Sequence, residues 1–258
     1  MVDSRLAQVT PLVLTFNEAP NIARCLTKLG WAARVVVLDS DSTDDTVAIA
    51  RRFPNVEVQT RAFDDHASQW NHGLSLVQTP WALTLDADYI VPDTFPEDAS
   101  RFVGETAVDA VFARFRYCVF GRPLRASLYP PRAVLFRRDK SRYESDGHTQ
   151  RLVVTGRSEE LESPFDHDDR KSLSRWLDSQ NKYAALEVRK LLRPEGQLEL
   201  QDRLRRSIIL GPQATFFYTL ILKGAILDGW PGWYYAFQRT LAETVLSLHL
   251  LDHKLRRD

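Results

Sequence analysis

Short apolar runs alternate with amphipathic segments along the first hundred residues. The runs Val9–Thr15 and 34–39 are rich in β-branched residues and almost continuously apolar, which is typical of strands buried on both faces. Between them, apolar residues recur at helical spacing over 22–29 and end at Gly30. The alternation continues with a predicted helix, strand, helix and strand at 47–53, 56–59, 67–77 and 81–85.

Strands and helices that alternate at this spacing predict an α/β fold, with a mostly parallel sheet and helices on both faces. Ligands of such sheets bind at the carboxyl ends of the strands. Acidic residues follow three of these ends, namely Glu18, Asp39 and the triplet Asp86-Ala87-Asp88. The glycine-rich phosphate motifs GxGxxG and GxxxxGK[ST] are absent from the sequence. We therefore expect acidic side chains to hold the ligand.

The pattern changes after residue 98. A longer strand is predicted over 109–120, a loop rich in Arg and Pro over 121–131, a strand over 133–138 and a helix over 172–192. Beyond residue 208 the chain is strongly apolar and aromatic. We expect one domain over 1–192 and a helical, aromatic-rich extension over 193–258.

The composition is that of a globular chain, 44% apolar and 26% charged, with 34 basic and 34 acidic residues. The charges are unevenly spread. Residues 1–100 carry 7 basic and 14 acidic groups, whereas 114–142 carry nine basic groups and one acid. The acidic half disfavours a nucleic-acid surface and suits a site that concentrates a cation, while the basic segment suits phosphates or an anionic membrane. Solvated surface charge is the alternative for the basic segment.

Two cysteines, Cys25 and Cys118, fit no CxxC pattern. This spacing disfavours a cysteine-ligated zinc site and a disulfide scaffold, and it favours a reducing compartment. We expect a cytoplasmic protein.

The Asp86-Ala87-Asp88 triplet directly follows a predicted buried strand. Two carboxylates at this spacing can address one ligand, because one binds a hard divalent cation while the other accepts a hydrogen bond from a sugar hydroxyl. An isolated DxD is more often a pair of acids in a turn. Its position beside Asp39 and Glu18 favours the ligand site.

Three stretches in order, LTFNEAPNIARCL, VVVLDSDSTDDTV and WALTLDADYIV, resemble family-2 glycosyltransferases of the GT-A fold. The resemblance covers about residues 9–95 and is strongest toward lipopolysaccharide-core and related cell-envelope glucosyltransferases. It implies an inverting transfer of a hexose from a nucleotide-sugar, a UDP-sugar being favoured, to a lipid-linked or cell-envelope glycan acceptor. It also implies a divalent metal, Mg²⁺ or Mn²⁺.

The resemblance assigns a role to each acid at the predicted sheet edge. The nucleotide would contact Thr15 and Glu18, its base would donate to Asp39, the ribose and sugar would lie near Asp86, and the metal would bind Asp88. Such an ion offsets the charge that develops on a diphosphate leaving group. An acid that often follows the family's DxD is replaced here by Tyr89.

A catalytic base is expected near residues 146–150, DGHTQ. An inverting transfer needs one group to take the proton of the attacking hydroxyl. Related enzymes often show a His-Glu pair where this chain has His148-Thr149, so the expected glutamate is missing. Asp146 is therefore the first candidate for the base, and His148 is the second. An Asp-Gly turn with a surface histidine is the alternative.

The segment 165–171, FDHDDRK, holds a second cluster. By its order in the chain, the resemblance makes His167 a metal ligand together with Asp88. Arg170 and Lys171 would face the diphosphate oxygens. The alternative is a loop whose acid caps the helix that follows.

Arg122, Arg125 and Arg132 are expected near the entry of a phosphate-bearing acceptor. In the extension, 207–222 is uncharged but shorter than the roughly 20 apolar residues of a membrane span. Aromatic residues mixed with Arg and Lys beyond it suit a lipid–water interface. We expect peripheral attachment to the inner face of the cytoplasmic membrane, with an anionic lipid surface as partner and no nucleic acid. A buried helical pair or a dimer contact is the alternative.

Two other functions stay open. A non-catalytic nucleotide-sugar-binding or scaffold domain would use the same donor pocket. A nucleotidyltransferase also joins an acidic metal site to a nucleotide, but it typically has a glycine-rich, basic loop where this chain has FNEAPN.

Overall fold

The computed structural model describes residues 3–105, 107–146, 149–192 and 200–256, without the side chains of residues 146, 149, 200 and 201. The chain forms two compact units, Met1–Cys118 with Tyr129–Arg170, and Val119–Leu128 with Lys171–Asp258. The second unit thus begins its long segment at Lys171, whereas the boundary expected from the sequence follows residue 192. As functional domains, 1–192 and 193–258 remain a prediction.

Strands and helices alternate first and helices dominate later, as the hydrophobic pattern predicts. The strands are β1 (Val9–Thr15), β2 (Val35–Asp39), β3 (Val56–Thr60), β4 (Trp81–Asp86), β5 (Tyr89–Ile90), β6 (Ala110–Ala113), β7 (Phe115–Val119), β8 (Arg122–Pro123), β9 (Arg132–Arg137), β10 (Ser141–Asp146), β11 (Thr149–Val154), β12 (Ser158–Glu160) and β13 (Phe165–His167). The helices are α1 (Ile22–Thr27), α2 (Thr46–Ala50), α3 (His66–Leu76), α4 (Phe95–Gly104), α5 (Leu173–Leu191), α6 (Leu200–Arg206), α7 (Leu210–Phe217) and α8 (Trp230–Leu255).

The central sheet of the first unit has the order β12-β6-β9-β4-β1-β2-β3. Strands β4, β1, β2 and β3 run parallel, and β9 is antiparallel to both β4 and β6. Alternate side chains enter two apolar layers: Val13 packs in the layer with α1 and α4, and Leu12 in the layer with α3. Both faces are therefore covered, which explains the continuous apolar strands and confirms the predicted α/β fold.

Strand register brings three acidic strand ends to one edge of this sheet. Thr15 at the end of β1 lies opposite Asp39 at the end of β2. On the other side of β1, Leu14 lies opposite Asp86 at the end of β4. The edge expected to bind the ligand therefore exists, and the parallel register of β1 with its two neighbours produces it.

The strand predicted over 109–120 is in fact two strands. β6 belongs to the central sheet, whereas β7 belongs to a small sheet in which β13 lies between β5 and β7. Arg114 separates them, and its guanidinium pairs with Glu160 at 3.0 Å. The apolar pattern runs through the break, so it gives no sign that the chain changes sheets. The predicted loop over 121–131 contains the short strand β8, and Arg132 begins β9.

The second unit is mainly helical. α5 and α8 share an apolar core that includes Val188 and Leu246. Arg205 of α6 joins these two helices, because its guanidinium lies 2.7 Å from Glu187 and 3.1 Å from Glu243. In the part of the chain that the structure describes, no helix combines the length and the apolar character needed to cross a membrane. Helices α5 to α8 lie in this unit, so the helical C-terminal segment predicted from the sequence is confirmed.

Candidate functional site

Hydrogen bonds join the loop after β1 to the loop after β2 at the acidic edge of the sheet. Asn17 has φ 55°, a left-handed conformation that asparagine tolerates, and its Oδ1 accepts from the Thr43 N–H at 2.7 Å. Its own N–H donates to the Ser42 hydroxyl at 2.7 Å. Ser42 in turn donates to Asp39 from its N–H at 2.8 Å and from its hydroxyl at 2.5 Å. The Asp39 carboxylate is therefore almost fully buried and oriented by the turn that follows it.

Thr15 and Glu18, both assigned to the nucleotide, lie at the same edge. The Thr15 hydroxyl is buried and has no hydrogen-bond partner within the described residues. The Glu18 carboxylate accepts from Asn21 Nδ2 at 2.8 Å, and the Glu18 N–H donates to the Thr46 hydroxyl at 2.6 Å. The first loop is thus held by α2 on one side and by α1 on the other.

Asn21 is a fully buried link that the sequence pattern does not indicate. Its Nδ2 donates to Asp169 at 2.9 Å, and its Oδ1 accepts from the Arg170 N–H at 2.9 Å. The residue stands at the N-cap position of α1, where an asparagine normally bonds to its own helix, yet its side chain makes no such bond. It instead connects the loop after β1 to the loop after β13.

Asp168 is a second buried acid in this connection. Arg24 lies 2.6 Å from its carboxylate and Arg170 lies 2.8 Å from it. The predicted role of Arg170 is to face the diphosphate; in the structure its guanidinium is bound to Asp168. Lys171, expected beside it, is the first residue of the long segment of the second unit. The two arginines and Asp168 fix the position of the residues that directly follow His167.

Asp88 and His167 lie side by side, as the family resemblance implies. β13 pairs with β5 so that His167 is opposite Tyr89, the residue after Asp88. The His167 Nε2 is 3.1 Å from the Asp88 Oδ2, and both side chains are nearly buried. The Asp168 N–H also donates to the Asp88 carbonyl at 3.0 Å. A short antiparallel pairing therefore brings together two residues 79 positions apart in sequence.

Three tyrosine rings surround His167. The ring centroids of Tyr89, Tyr117 and Tyr129 lie 5.3, 5.0 and 5.0 Å from the imidazole, all in edge contacts. Burial lowers the pKa of His167, but the carboxylates of Asp88, Asp86 and Asp169 together raise it by more, so the net shift is upward. The environment fixes the orientation of the ring and makes the site favourable for positive charge.

Asp86 lies two residues before Asp88, and the two carboxylates act on each other electrostatically. Burial and the Asp88 carboxylate raise the pKa of Asp86, and the positive charge of Arg132 partly offsets that rise. Two carboxylates that each disfavour ionisation of the other form a site that a divalent cation stabilises.

The Asp88–His167 pair fits a six-coordinate divalent ion. Two adjacent ligands at about 2.1 Å from such an ion lie about 3.0 Å apart, close to the 3.1 Å observed between the two side-chain atoms. Carboxylate oxygen and imidazole nitrogen are both ligands of Mn²⁺. Within the described residues, no group of three or more His, Cys, Asp or Glu forms a metal site. Water and substrate phosphate oxygens would supply the remaining ligands, as they usually do for Mg²⁺.

A cavity of about 280 Å³ lies beside Asp86 in the first unit. Its walls come from β4, β9, α3 and the antiparallel hairpin of β10 and β11. The rings of Trp70 and Tyr143 stack at 5.2 Å in one wall. The lining residues are Trp70, Thr84, Asp86, Tyr89, Phe112, Phe115, Pro130, Pro131, Arg132, Ala133, Val134, Tyr143, Gln150, Arg151 and Leu152.

In sequence, the two candidate bases fall between the end of β10 and the start of β11. The backbone of Asp146 ends β10 and pairs with Thr149. The Asp146 side chain and all of His148 lie outside the described residues. Their catalytic assignment remains a prediction.

The three predicted acceptor arginines do not share one compact unit. Arg132 lines the cavity in the first unit, while Arg122 and Arg125 belong to the second. There, the Arg125 N–H donates to Asp228 at 2.9 Å, and its guanidinium lies 3.6 Å from the same carboxylate. Arg132 thus belongs to the same unit as Asp86 and lines the cavity with it.

Sequence comparison gives one family and several relatives. The family model for Glycosyl transferase family 2 matches residues 12–156, more than half of the chain. An uncharacterized glycosyltransferase of Rickettsia felis is 34% identical over 84 residues, 32% of this chain and 29% of the relative. The lipopolysaccharide core biosynthesis glycosyltransferase LpsC of Rhizobium meliloti is 25% identical over 84 residues, 31% of each chain. The aligned regions thus span less than a third of either relative.

Structural comparison gives the same fold. The mannosyltransferase PcManGT from Pyrobaculum calidifontis, solved with GDP-Man and Mn²⁺, aligns with a TM-score of 0.52 over 96% of this chain and 86% of that one. The sequence identity is 16%, so the similarity concerns the fold.

Proposed function

The chain belongs to glycosyltransferase family 2, and we propose that it is an inverting, divalent-metal-dependent glycosyltransferase. It would move a hexose from a nucleotide-sugar, a UDP-sugar being favoured, to a lipid-linked or cell-envelope glycan. The observation that carries this proposal is the buried Asp88–His167 pair beside Asp86, at the sheet edge that also holds Asp39. The lipopolysaccharide-core relative supports the class of acceptor.

The donor would lie along this edge. Asp39 would accept from the base, with Thr15 and Glu18 beside it, and Asp86 would meet the ribose and sugar. Asp88 and His167 would hold Mg²⁺ or Mn²⁺, and the bound ion would offset the negative charge of the departing diphosphate. Arg170 and Lys171 stay assigned to the diphosphate; the Arg170 guanidinium would have to be shared with Asp168 for this contact.

The chain's own groups then perform a single displacement. The acceptor oxygen attacks the anomeric carbon while the nucleoside diphosphate leaves from the opposite face, so the configuration inverts. A base, Asp146 or His148, takes the hydroxyl proton during the attack. In sequence both residues fall where β10 ends and before β11 begins, and these two strands form one wall of the cavity beside Asp86.

Asp39 is expected to govern donor affinity more than chemistry. Asp39→Asn keeps one acceptor oxygen for Ser42 but loses the other and the charge, so the dissociation constant of a UDP-sugar should rise roughly ten- to hundredfold. Ser42→Ala is the matched control, because it removes a bond that orients Asp39 while leaving the carboxylate. Titration calorimetry measures both. If Asp39→Asn bound the UDP-sugar as tightly as the parent does, Asp39 would not be a contact of the nucleotide base.

Hydrolysis of UDP-, GDP- and dTDP-sugars with and without Mn²⁺ tests the proposed function. Slow, Mn²⁺-dependent release of the nucleoside diphosphate is the expected result. Binding without any turnover would favour the scaffold alternative. Release of pyrophosphate from a nucleoside triphosphate and a sugar phosphate would identify a nucleotidyltransferase.

We also propose that the second unit binds the surface of the cytoplasmic membrane. Large apolar side chains are exposed over residues 209–237, including Leu222 at 77% and Trp230 at 83% exposure. Lys223 lies among them, with its ammonium 5.5 Å from the Tyr218 ring. Exposed aromatic and aliphatic groups combined with basic ones suit an anionic lipid–water interface.

Vesicle binding tests this attachment. The protein is expected to bind phosphatidylcholine vesicles containing phosphatidylglycerol at low salt, and less well as salt rises. Trp230→Ser together with Leu222→Ser should weaken binding roughly tenfold or more, because the inserted apolar area is lost. Phe63→Ser removes a half-exposed aromatic side chain from the first unit and serves as the control. Failure of the parent to bind anionic vesicles would refute the attachment and leave the sugar transfer standing.

A further inference from the structure

We propose that the cavity beside Asp86 is the acceptor site and that Arg132 makes it selective for an acidic sugar. The ligand would be a sugar residue that carries a carboxylate or a phosphate group next to the ring that receives the hexose. This inference rests on the proposed glycosyl transfer and gives its acceptor a chemical class.

Arg132 lines the cavity, and the Asp86 carboxylate in the same lining acts on its guanidinium through charge without forming an ion pair with it. Its guanidinium carbon lies 4.7 Å from the centre of the Tyr129 ring, and the side chain is half-buried. Within the described residues, no acid forms an ion pair with it, whereas Arg24 and Arg116 have Asp168 and Asp166 as partners. Stacking on a ring leaves the N–H edges of a guanidinium available. A half-buried charge of this kind is stabilised when an anion enters.

The remaining walls suit the other parts of a sugar. Trp70 and Tyr143 line the cavity but are largely buried and stack on each other, so they offer a sugar ring an apolar wall of limited area. Gln150 adds an amide group for sugar hydroxyls, whereas the Thr84 hydroxyl already accepts from the Tyr143 hydroxyl at 2.9 Å. The volume of about 280 Å³ is close to the lower end of the roughly 300–1,000 Å³ typical of small-molecule sites. One sugar ring with a small anionic substituent fits such a space better than a nucleotide does.

The position of the cavity separates it from the diphosphate. Asp88 and His167, the pair suited to the metal, are not among its lining residues, whereas Asp86 is. The hairpin of β10 and β11 contributes Tyr143, Gln150 and Leu152 to the lining, and in sequence the two candidate bases fall between the end of β10 and the start of β11. An attacking hydroxyl must lie between the base and the donor sugar. The hairpin strands and Asp86 both line the cavity, so an acceptor bound there would lie next to the donor sugar and to the strands that flank the candidate bases in sequence.

The charge should appear as a preference among simple probes. An anion paired with the guanidinium gains charge-assisted hydrogen bonds that a neutral sugar cannot make, which corresponds to roughly a ten- to hundredfold difference in affinity. Arg132→Met keeps the length and apolar stem of the side chain but removes the charge. Arg132→Lys keeps the charge and loses the paired N–H geometry, so it should retain part of the preference.

The experiment titrates three probes into the full chain with UDP and Mn²⁺ present: methyl glucoside, methyl glucuronide and methyl glucoside 6-phosphate. The parent should bind at least one acidic probe about tenfold or more tightly than the neutral one, and the comparison of the two acidic probes distinguishes carboxylate from phosphate. Arg132→Met should abolish the preference. Arg142→Met, an exposed arginine of the same hairpin, should keep it. Thermal melting of Arg132→Met and Arg132→Lys shows whether each variant is folded.

Two results would overturn the inference. One is equal binding of the three probes, or binding of none, by a parent that turns over nucleotide-sugars. The other is a loss of UDP-sugar affinity in Arg132→Met as large as its loss of acidic-probe affinity, which would assign the guanidinium to the donor diphosphate. Failure of the proposed function has a different signature, because the parent would then show no Mn²⁺-dependent turnover of any nucleotide-sugar.

Discussion

Asp88→Asn is expected to lower Mn²⁺-dependent turnover of the nucleotide-sugar by about 10³-fold. The substitution preserves the shape of the side chain but removes the charge that binds the ion beside the diphosphate. Initial rates over a range of Mn²⁺ concentrations measure the effect. Raising Mn²⁺ should not restore the rate, because the transition state has lost part of the charge that stabilises it.

Two further variants serve as comparisons for Asp88→Asn. Asp93→Asn changes an exposed acid a few residues along the chain that pairs with Lys28 at the surface, and it should behave as the parent does. His167→Ala should raise the Mn²⁺ requirement with a smaller loss of rate, since water can replace one imidazole. Parent-like turnover in Asp88→Asn would show that the DxD acid does not hold the ion.

Asp146→Asn is expected to lower transfer to the acceptor by about 10²-fold or more while donor binding stays near the parent value. Asparagine keeps the size and polarity of the side chain but is no longer a carboxylate base. Separate measurement of UDP-sugar affinity and of the transfer rate distinguishes lost chemistry from lost binding.

His148→Ala provides the comparison for the base. If Asp146 takes the proton, His148→Ala should reduce transfer far less than Asp146→Asn does. The reverse order would move the base to His148. Full transfer in both variants would place the base elsewhere in the chain.

The parallel half of the sheet was predictable because its strands are buried on both faces. Such strands are continuous apolar runs, so Val9–Thr15 was recognised with its observed bounds and β2 to within one residue. The acids at the strand ends followed from the rule that parallel strands present their carboxyl ends to one edge. The pairing of Asp88 with His167 required the family resemblance, because 79 residues separate the two positions.

The contacts around that pair were not predictable from local pattern. Asn21 has the sequence position of a helix cap, and only the approach of the loop after β13 makes it a buried connector. Asp168 appeared as one of several acids in a charged loop, whereas the fold buries it between two arginines. Tyr117 was part of an apolar run that hides the break after Ala113. Contacts between residues far apart in sequence determine the surroundings of all three side chains, and sequence spacing alone does not predict such contacts.

The central claim is a nucleotide-sugar site that depends on a divalent ion, and thermal unfolding of the parent chain tests it most directly. With Mn²⁺ and UDP-glucose at about 100 times its dissociation constant, the free energy of unfolding should rise by roughly 2.7 kcal/mol. UDP-glucose with a chelator, or Mn²⁺ alone, should give a much smaller rise. Equal stabilisation with and without Mn²⁺, or no stabilisation by UDP-, GDP- or dTDP-sugars, would contradict the account.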